Sequence, residues 1–239
     1  MALRYRRRVR AALQRDPVKT TSEDGLQIAY DVNGAGRSVI LLHGFGNDRT
    51  MWLQYGWTAR LENDFKVIAL DFRGCGESDK PEGASGYSID LHLSDVKAVI
   101  AACDANDPIV WGWSLGATVA LHFASRGQAQ ATVAAGTYFG PIFTSACVQA
   151  RIAEATREVD RARLLGMGTW PEMEPYQIRG RLLVYTGTND GNVVKQLKLQ
   201  REAIETAGGE LEILGECNHL ELISETQKVW PIVEPFLRR

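Results

Sequence analysis

Residues 108–125 read PIVWGWSLGATVALHFAS, and Gly112-Trp113-Ser114-Leu115-Gly116 at the centre is a G-x-S-x-G element. The apolar run before Ser114 predicts a buried strand, and the small and apolar residues after it predict a helix. A turn between the two must be so sharp that positions two before and two after the serine cannot carry large side chains. We expect this turn to hold the Ser114 hydroxyl at the C-terminal edge of a sheet, beside a helix N-terminus that favours a developing anion. The alternative is a glycine-rich turn in which the serine is structural.

Outward from this turn, the chain alternates strands and helices. Asp24-Gly25 favours a hairpin between residues 18–22 and 26–32. Further strands are predicted at 38–42, 66–70, 131–135, 181–185 and 210–214, and further helices at 88–102, 193–207 and 220–237. Pro231 and Pro235 are expected to kink or shorten the last helix. Such alternation predicts an α/β fold with a mostly parallel sheet covered by helices on both faces.

Two segments fall outside this alternation. Residues 141–177 lie between two core strands and are expected to form a short helical cap insertion, with one charged helix at about 143–165 followed by an irregular stretch. Residues 1–17 are expected to be a basic N-terminal arm, since residues 1–19 carry seven basic side chains against Asp16. The remaining 18–239 would then form one domain, because 141–177 is too short to bury a core of its own.

Composition indicates a globular chain without a strong charge bias. The 239 residues are 45% hydrophobic with a formal net charge of −2, which gives no reason to expect nucleic-acid binding. The four cysteines form no CxxC spacing, so we expect no metal site, no disulfide framework and a cytoplasmic setting. No apolar run approaches the roughly 18–20 residues of a membrane span, and the basic N-terminus is not followed by a signal-peptide core. A homodimer stays open.

Three more motifs occur around the serine element in a fixed order. Leu41-Leu42-His43-Gly44-Phe45 contains a His-Gly turn, residues 71–79 read DFRGCGESD, and residues 187–190 read GTND. With these motifs the chain resembles the α/β-hydrolase superfamily from about residue 18 to 237, especially its compact serine esterase and cofactor-free haloperoxidase-like branch. That resemblance implies a catalytic triad ordered Ser, acid, His along the chain, which fits Ser114, Asp190 and His219.

His219 is the expected base, because it follows the last predicted strand and can reach the sheet edge where Ser114 lies. His92 and His122 fall inside predicted helices, and the resemblance gives His43 a structural role in bracing the oxyanion loop.

Asp190 is the expected acid, since it follows the strand at 181–185 and would orient the imidazole. The alternative is that Asp190 only caps the next helix. Glu216 and Glu221 are rivals, but they are too close in sequence to His219 to bond its ring easily.

Oxyanion stabilisation is expected from the backbone N–H groups of Phe45 and Leu115. Aromatic and apolar residues near the serine and in the cap are candidates for the substrate pocket. They are Trp113, Phe139, Phe143, Trp170 and Met173.

The resulting hypothesis is a serine hydrolase that needs no cofactor and no metal. Its expected substrates are small-molecule carboxylic esters with small to medium acyl groups, cleaved through an acyl-enzyme intermediate. Lactone or C–C bond hydrolysis by the same triad stays open, and so does a ligand receptor that keeps the fold without turnover. Serine at the turn argues against the dehalogenases and epoxide hydrolases of this fold, which use a carboxylate nucleophile.

Overall fold

The computed structural model describes residues 16–143 and 146–239, so residues 1–15 of the basic arm expected at 1–17 lie outside the described residues. Its centre is an eight-stranded sheet with the strand order β1-β2-β4-β3-β5-β6-β7-β8. The strands are β1 (Val18–Thr21), β2 (Gln27–Asn33), β3 (Arg37–Leu42), β4 (Phe65–Leu70), β5 (Ile109–Trp113), β6 (Ala131–Ala135), β7 (Arg181–Gly187) and β8 (Gly209–Leu214). β1 and β2 pair antiparallel, β2 pairs antiparallel with β4, and the other pairs are parallel. The predicted mostly parallel sheet is confirmed.

Helices cover both faces of this sheet. They are α1 (Thr50–Gln54), α2 (Trp57–Leu61), α3 (Ile89–Ala102), α4 (Leu115–Ser125), α5 (Ala146–Glu154), α6 (Glu158–Met167), α7 (Gly191–Thr206), α8 (Glu221–Ser224) and α9 (Thr226–Arg238). One hydrophobic cluster joins the sheet to α3, α4 and α7, and a second joins it to α1, α2, α8 and α9. The inner strands are buried on both sides, which explains why they read as continuous apolar runs rather than alternating ones.

Two expectations about helices were wrong. The single helix expected at about 143–165 is two helices, α5 and α6, because Arg157 has an extended backbone and starts α6 with acidic residues in its first turn. The C-terminal helix breaks at Glu225 rather than at its prolines. Pro231 and Pro235 lie inside α9 on its exposed side, where water can solvate the carbonyl groups that lose an N–H partner.

Buried ion pairs fix the loops that follow β3 and β4. Asp71, fully buried after β4, accepts hydrogen bonds from the backbone N–H of Arg49 (2.7 Å), the Arg49 guanidinium (2.6 Å) and the backbone N–H of Glu77 (2.8 Å). Arg73 pairs with Asp95 of α3 at 2.6 Å, and neither side chain is exposed. These charges are paired and hydrogen-bonded, as buried charges must be, so they hold the loops at the C-terminal edge of the sheet.

Three histidines are buried in the folded chain. His43, His92 and His122 are at most 4% exposed. Burial, the largest cause in each case, lowers the pKa of His43 to about 4, that of His92 to about 3 and that of His122 to about 4. All three are therefore neutral at pH 7 in the folded state, whereas the unfolded chain takes up protons near the ordinary value of about 6.5.

These histidines should make the free energy of unfolding depend on pH. The unfolded chain binds more protons than the folded chain between about pH 6.5 and 4, so the free energy of unfolding should fall as the pH falls through that window. Each such histidine contributes a slope of at most about 1.4 kcal/mol per pH unit. Urea unfolding at several pH values should show a shallower slope for His122→Phe than for wild type. Phe123→Leu, one residue along α4, should lower stability at every pH without changing the slope; an unchanged slope in His122→Phe would contradict the prediction.

Candidate active site

Ser114 lies in a strained turn between β5 and α4. Its φ of 56° and ψ of −117° are unusual for a residue with a side chain, and its backbone N–H donates to the Ala135 carbonyl at 2.8 Å. A Cβ on Gly112 would lie 2.1 Å from the Gly116 carbonyl oxygen, and a Cβ on Gly116 would lie 2.1 Å from the Leu42 carbonyl oxygen. Both glycines are therefore required by close backbone approach, and the turn projects Ser114 from the carboxyl edge of the sheet.

Asp190 and His219 form a hydrogen-bonded pair at the same edge. His219 Nδ1 lies 2.9 Å from Asp190 Oδ1, and Thr186 Oγ1 donates to Asp190 Oδ2 at 2.9 Å. The Asp190 side chain is 5% exposed and that of His219 is 41% exposed. Because a carboxylate only accepts hydrogen bonds, Nδ1 carries the proton and Nε2 is left as an acceptor. This is the tautomer that a general base for a serine hydroxyl needs.

Hydrogen bonds distinguish Asp190 from a simple helix cap and from Glu216 and Glu221, the other candidates for the acid. Asp190 occupies the N-cap position of α7, yet its side chain makes no cap hydrogen bond, so capping does not account for its orientation. Glu221 instead accepts from the backbone N–H of Asn218 at 2.7 Å, and Glu216 is exposed. Within the described ranges, Asp190 is the carboxylate that contacts the His219 ring.

Trp113 and Gly136 define the position of the His219 ring. Trp113 Nε1 donates to the His219 carbonyl at 3.0 Å, and the two rings lie 5.2 Å apart between centroids. Gly136 has a φ of +65°, and a Cβ there would lie 2.9 Å from His219 Cε1. The ring is therefore confined between an indole and a bare backbone.

The loop after β3 carries Phe45, the proposed oxyanion residue, and His43 braces it. His43 Nε2 lies 3.1 Å from the Phe72 backbone N–H and must accept from it, so Nδ1 donates to the Gly44 carbonyl at 2.8 Å. The lowered pKa of His43, caused mainly by burial, fits this neutral form. On the other side of the turn, Leu115 is the first residue of α4, where backbone N–H groups have no partner inside the helix.

Arg163 of α6 was not singled out from the sequence, but it packs against this loop. Its guanidinium lies 4.4 Å from the centroid of the Phe45 ring, and the residue is 2% exposed. Asp160 is its ion-pair partner at 3.4 Å, and Nη2 is buried without a hydrogen-bond partner. The sequence alone does not distinguish Arg163, because it belongs to a helix in which charged residues are frequent. Its contact with Phe45 is seen only in the folded chain.

Ser114, His219 and Asp190 line one cavity of about 670 Å³ between the sheet edge and the cap. Of the predicted site residues, Phe45, Trp113, Leu115 and Phe143 also line it. Residues that the sequence did not indicate complete most of the wall: Thr118, Thr137, Tyr138, Ile142, Val148, Arg151, Leu164, Met167, Asn189, Asn192, Val193, Asn218 and Leu220. Helical spacing links several of them, since Thr118 is one turn from Ser114 and Leu164 is one turn from Met167.

Three candidate pocket residues lie elsewhere. Phe139 is 1% exposed, belongs to the core and is tied through its backbone to Gln200 of α7, so its assignment to the wall was wrong. Trp170 and Met173 line a separate, smaller cavity of about 70 Å³, which Phe143 also lines. The irregular end of the cap thus packs against the core instead of facing Ser114.

The described part of the chain has neither a metal-binding cluster nor a membrane-spanning helix. Residues 16–143 and 146–239 contain no cluster of three or more His, Cys, Asp or Glu side chains that could hold a metal ion. No helix in the same ranges combines the length and the apolar character of a bilayer span.

Comparisons with known proteins agree with the fold. Residues 39–226 match the model of the alpha/beta hydrolase family. Epoxide hydrolase 3 of Xenopus tropicalis is 30% identical over 109 residues, which cover 44% of this chain and 28% of that protein. The first curated relatives are likewise matched over about 28% of their own length.

Solved structures match almost the whole chain at low identity. A thermophilic esterase from Thermogutta terrifontis is 21% identical with a TM-score of 0.80, covering 94% of this chain and 98% of the esterase. The enol-lactonase from Burkholderia xenovorans LB400 is 19% identical with a TM-score of 0.76, covering 93% of this chain and 100% of the lactonase. At such identities the likeness establishes the fold, and the reaction must be argued from the site.

The close approach of Gly136 to the His219 ring allows a test of the ring's position. Gly136→Ala should place a methyl group against the His219 ring, displace Nε2 and slow the labelling of Ser114 by a fluorophosphonate by about 100-fold. Gly127→Ala is the matched control, because Gly127 has a φ of +69° with nothing within 4 Å of its Cβ position. Both variants should lose roughly 1–2 kcal/mol of stability. Equal labelling rates in the two variants would show that the His219 ring is not confined by Gly136.

Proposed function

The chain belongs to the alpha/beta hydrolase family, and on that premise we propose that it is a serine hydrolase of carboxylic esters with small to medium acyl groups. The observation that carries the proposal is the His219–Asp190 hydrogen bond of 2.9 Å beside the cavity that Ser114 also lines. We further propose 18–239 as the hydrolase domain, with 141–177 as its cap.

Acylation would begin with proton transfer from the Ser114 hydroxyl to His219 Nε2 as Ser114 Oγ bonds to the ester carbonyl carbon. The carbonyl oxygen becomes an oxyanion, and the backbone N–H groups of Phe45 and Leu115 would hold it. Asp190 would stabilise the imidazolium without taking its proton. His219 then gives the proton to the departing alkoxide, which leaves as the alcohol and an acyl-Ser114 ester.

Deacylation would repeat these steps with water as the nucleophile. His219 Nε2 takes a proton from water, hydroxide adds to the acyl carbon, and collapse of the second tetrahedral intermediate returns the proton to Ser114 Oγ. The 41% exposure of the His219 side chain supports this step, since solvent can reach the base without movement of the cap.

Lactone hydrolysis is the second candidate, because a lactone is an internal ester and would use the same groups. The fold likeness to an enol-lactonase makes lactones a necessary part of any substrate panel. C–C bond hydrolysis asks the same triad to expel a carbon leaving group, and a ligand receptor would bind without turnover. Of the reactions considered, ester hydrolysis is the least demanding for these residues.

Variants of the three proposed catalytic residues test the mechanism. Ser114→Ala should abolish ester hydrolysis and fluorophosphonate labelling, because no other hydroxyl is placed by the turn. Asp190→Asn should lower kcat by about 10³–10⁴-fold, since the imidazole loses the acceptor that fixes its tautomer. Initial rates on p-nitrophenyl butyrate, with circular dichroism as a check of folding, measure both.

Glu221→Gln is the matched control for Asp190→Asn. Its carboxylate is close to His219 in sequence but bonds a backbone N–H instead of the ring, so kcat should change little. A larger loss in Glu221→Gln than in Asp190→Asn would overturn the assignment of the acid.

Acyl-chain length tests the proposed substrate size. A cavity of about 670 Å³ lies in the range of small-molecule sites, and it is lined mainly by apolar side chains. The kcat/KM for p-nitrophenyl esters should therefore be highest for short to medium acyl chains and fall for long ones. A maximum at long chains, or activation at an oil–water interface, would contradict this expectation.

A further inference from the structure

Arg151 of α5 is the cation on the wall of the Ser114 cavity. Arg151 and Val148 are three residues apart on α5, so they share a face, and both line the cavity. The charged carboxylate of the wall, Asp190, is already bonded to His219 and Thr186. Within residues 16–143 and 146–239, Arg151 forms neither a hydrogen bond nor an ion pair. Arg151 is exposed, and within those ranges it is the one cationic side chain of the cavity wall and has no carboxylate partner.

A second arginine lies behind the cavity wall, against Phe45. Arg163 is buried behind Phe45, which lines the same cavity, and its carboxylate partner Asp160 is shared with Arg157. Two arginines thus share one carboxylate. Arg163 is buried and Arg151 is exposed, so solvent and salt screen the charge of Arg151 more strongly.

We propose that Arg151 selects substrates that carry a carboxylate apart from the scissile ester. The guanidinium would hold that carboxylate through two parallel N–H···O bonds, which a neutral acyl chain of the same length cannot form. Asn189, Asn192 and Asn218 also line the cavity and add neutral polar groups beside the apolar wall. This inference rests on the proposed function and defines its substrate class as monoesters of dicarboxylic acids or equivalent anionic esters.

The test compares two esters of equal chain length, p-nitrophenyl hexanoate and the mono-p-nitrophenyl ester of adipic acid. Wild type should prefer the anionic ester, and Arg151→Gln should lower kcat/KM for that ester about 10–100-fold, mainly through KM. The ratio of kcat/KM for the anionic ester to kcat/KM for the hexanoate ester should therefore fall about 10-fold or more. High ionic strength should weaken the preference of the wild type and leave Arg151→Gln unaffected.

Arg161→Gln is the matched control, because Arg161 is an exposed arginine of the cap that does not line the cavity. It should leave the ratio of the two kcat/KM values unchanged. If wild type hydrolyses the hexanoate ester but Arg151→Gln keeps the ratio of wild type, the inference is overturned and the proposed function stands. If wild type hydrolyses neither ester, nor lactones, the proposed function fails, and the inference fails with it.

Discussion

The backbone of Ser114 is the constraint on which the rest of the site depends. Its φ of 56° and ψ of −117° allow β5 to turn into α4 within one residue. A conformation of this kind costs on the order of 1–3 kcal/mol, which the buried core on both sides of β5 must offset. The strain also brings Gly116 against the Leu42 carbonyl at the end of β3, so the loop that carries Phe45 starts beside the N-terminus of α4. One turn thus places Ser114 and both expected oxyanion donors.

Asp190 and His219 are positioned by separate means. Asp190 follows β7, and His219 follows β8 beyond a loop in which the Cys217 carbonyl approaches Gly187 so closely that a Cβ there would lie 1.9 Å from its oxygen. The indole of Trp113, next to Ser114 in sequence, donates to the His219 carbonyl and so joins this loop to the serine turn. A change that moves either loop should therefore alter the positions of Ser114 and His219 together.

Sequence reasoning located the elements with strong periodicity and the residues tied to a strand end. The bounds of β6 were predicted to the residue, since Gly127 and Gly136 lie on either side of it. Predictions from the sequence failed where the placement of a residue depends on tertiary contacts. Five-residue helices such as α1 are too short to show a period, and the break at Arg157 follows from a backbone conformation that no residue type there dictates. Phe139 follows β6 near the sheet edge, but Gln200 of α7 anchors its backbone away from the cavity.

Changes in helices α5 and α6, the proposed cap, can affect the cavity wall without directly changing the contacts of Asp190 and His219. Asp190 and His219 lie on loops of the sheet and make no hydrogen bond to α5 or α6 within the described ranges. Arg151 and Val148 of α5 line the cavity, and Val148 also packs against the hydrophobic core. Substitution of the exposed Arg151 can therefore alter the cavity wall while the Asp190–His219 hydrogen bond persists. Arg163 is the exception, because its guanidinium lies over Phe45. Under the proposed function, substrate selection can therefore vary through Arg151 of α5, whereas α6 is constrained by the loop expected to hold the oxyanion.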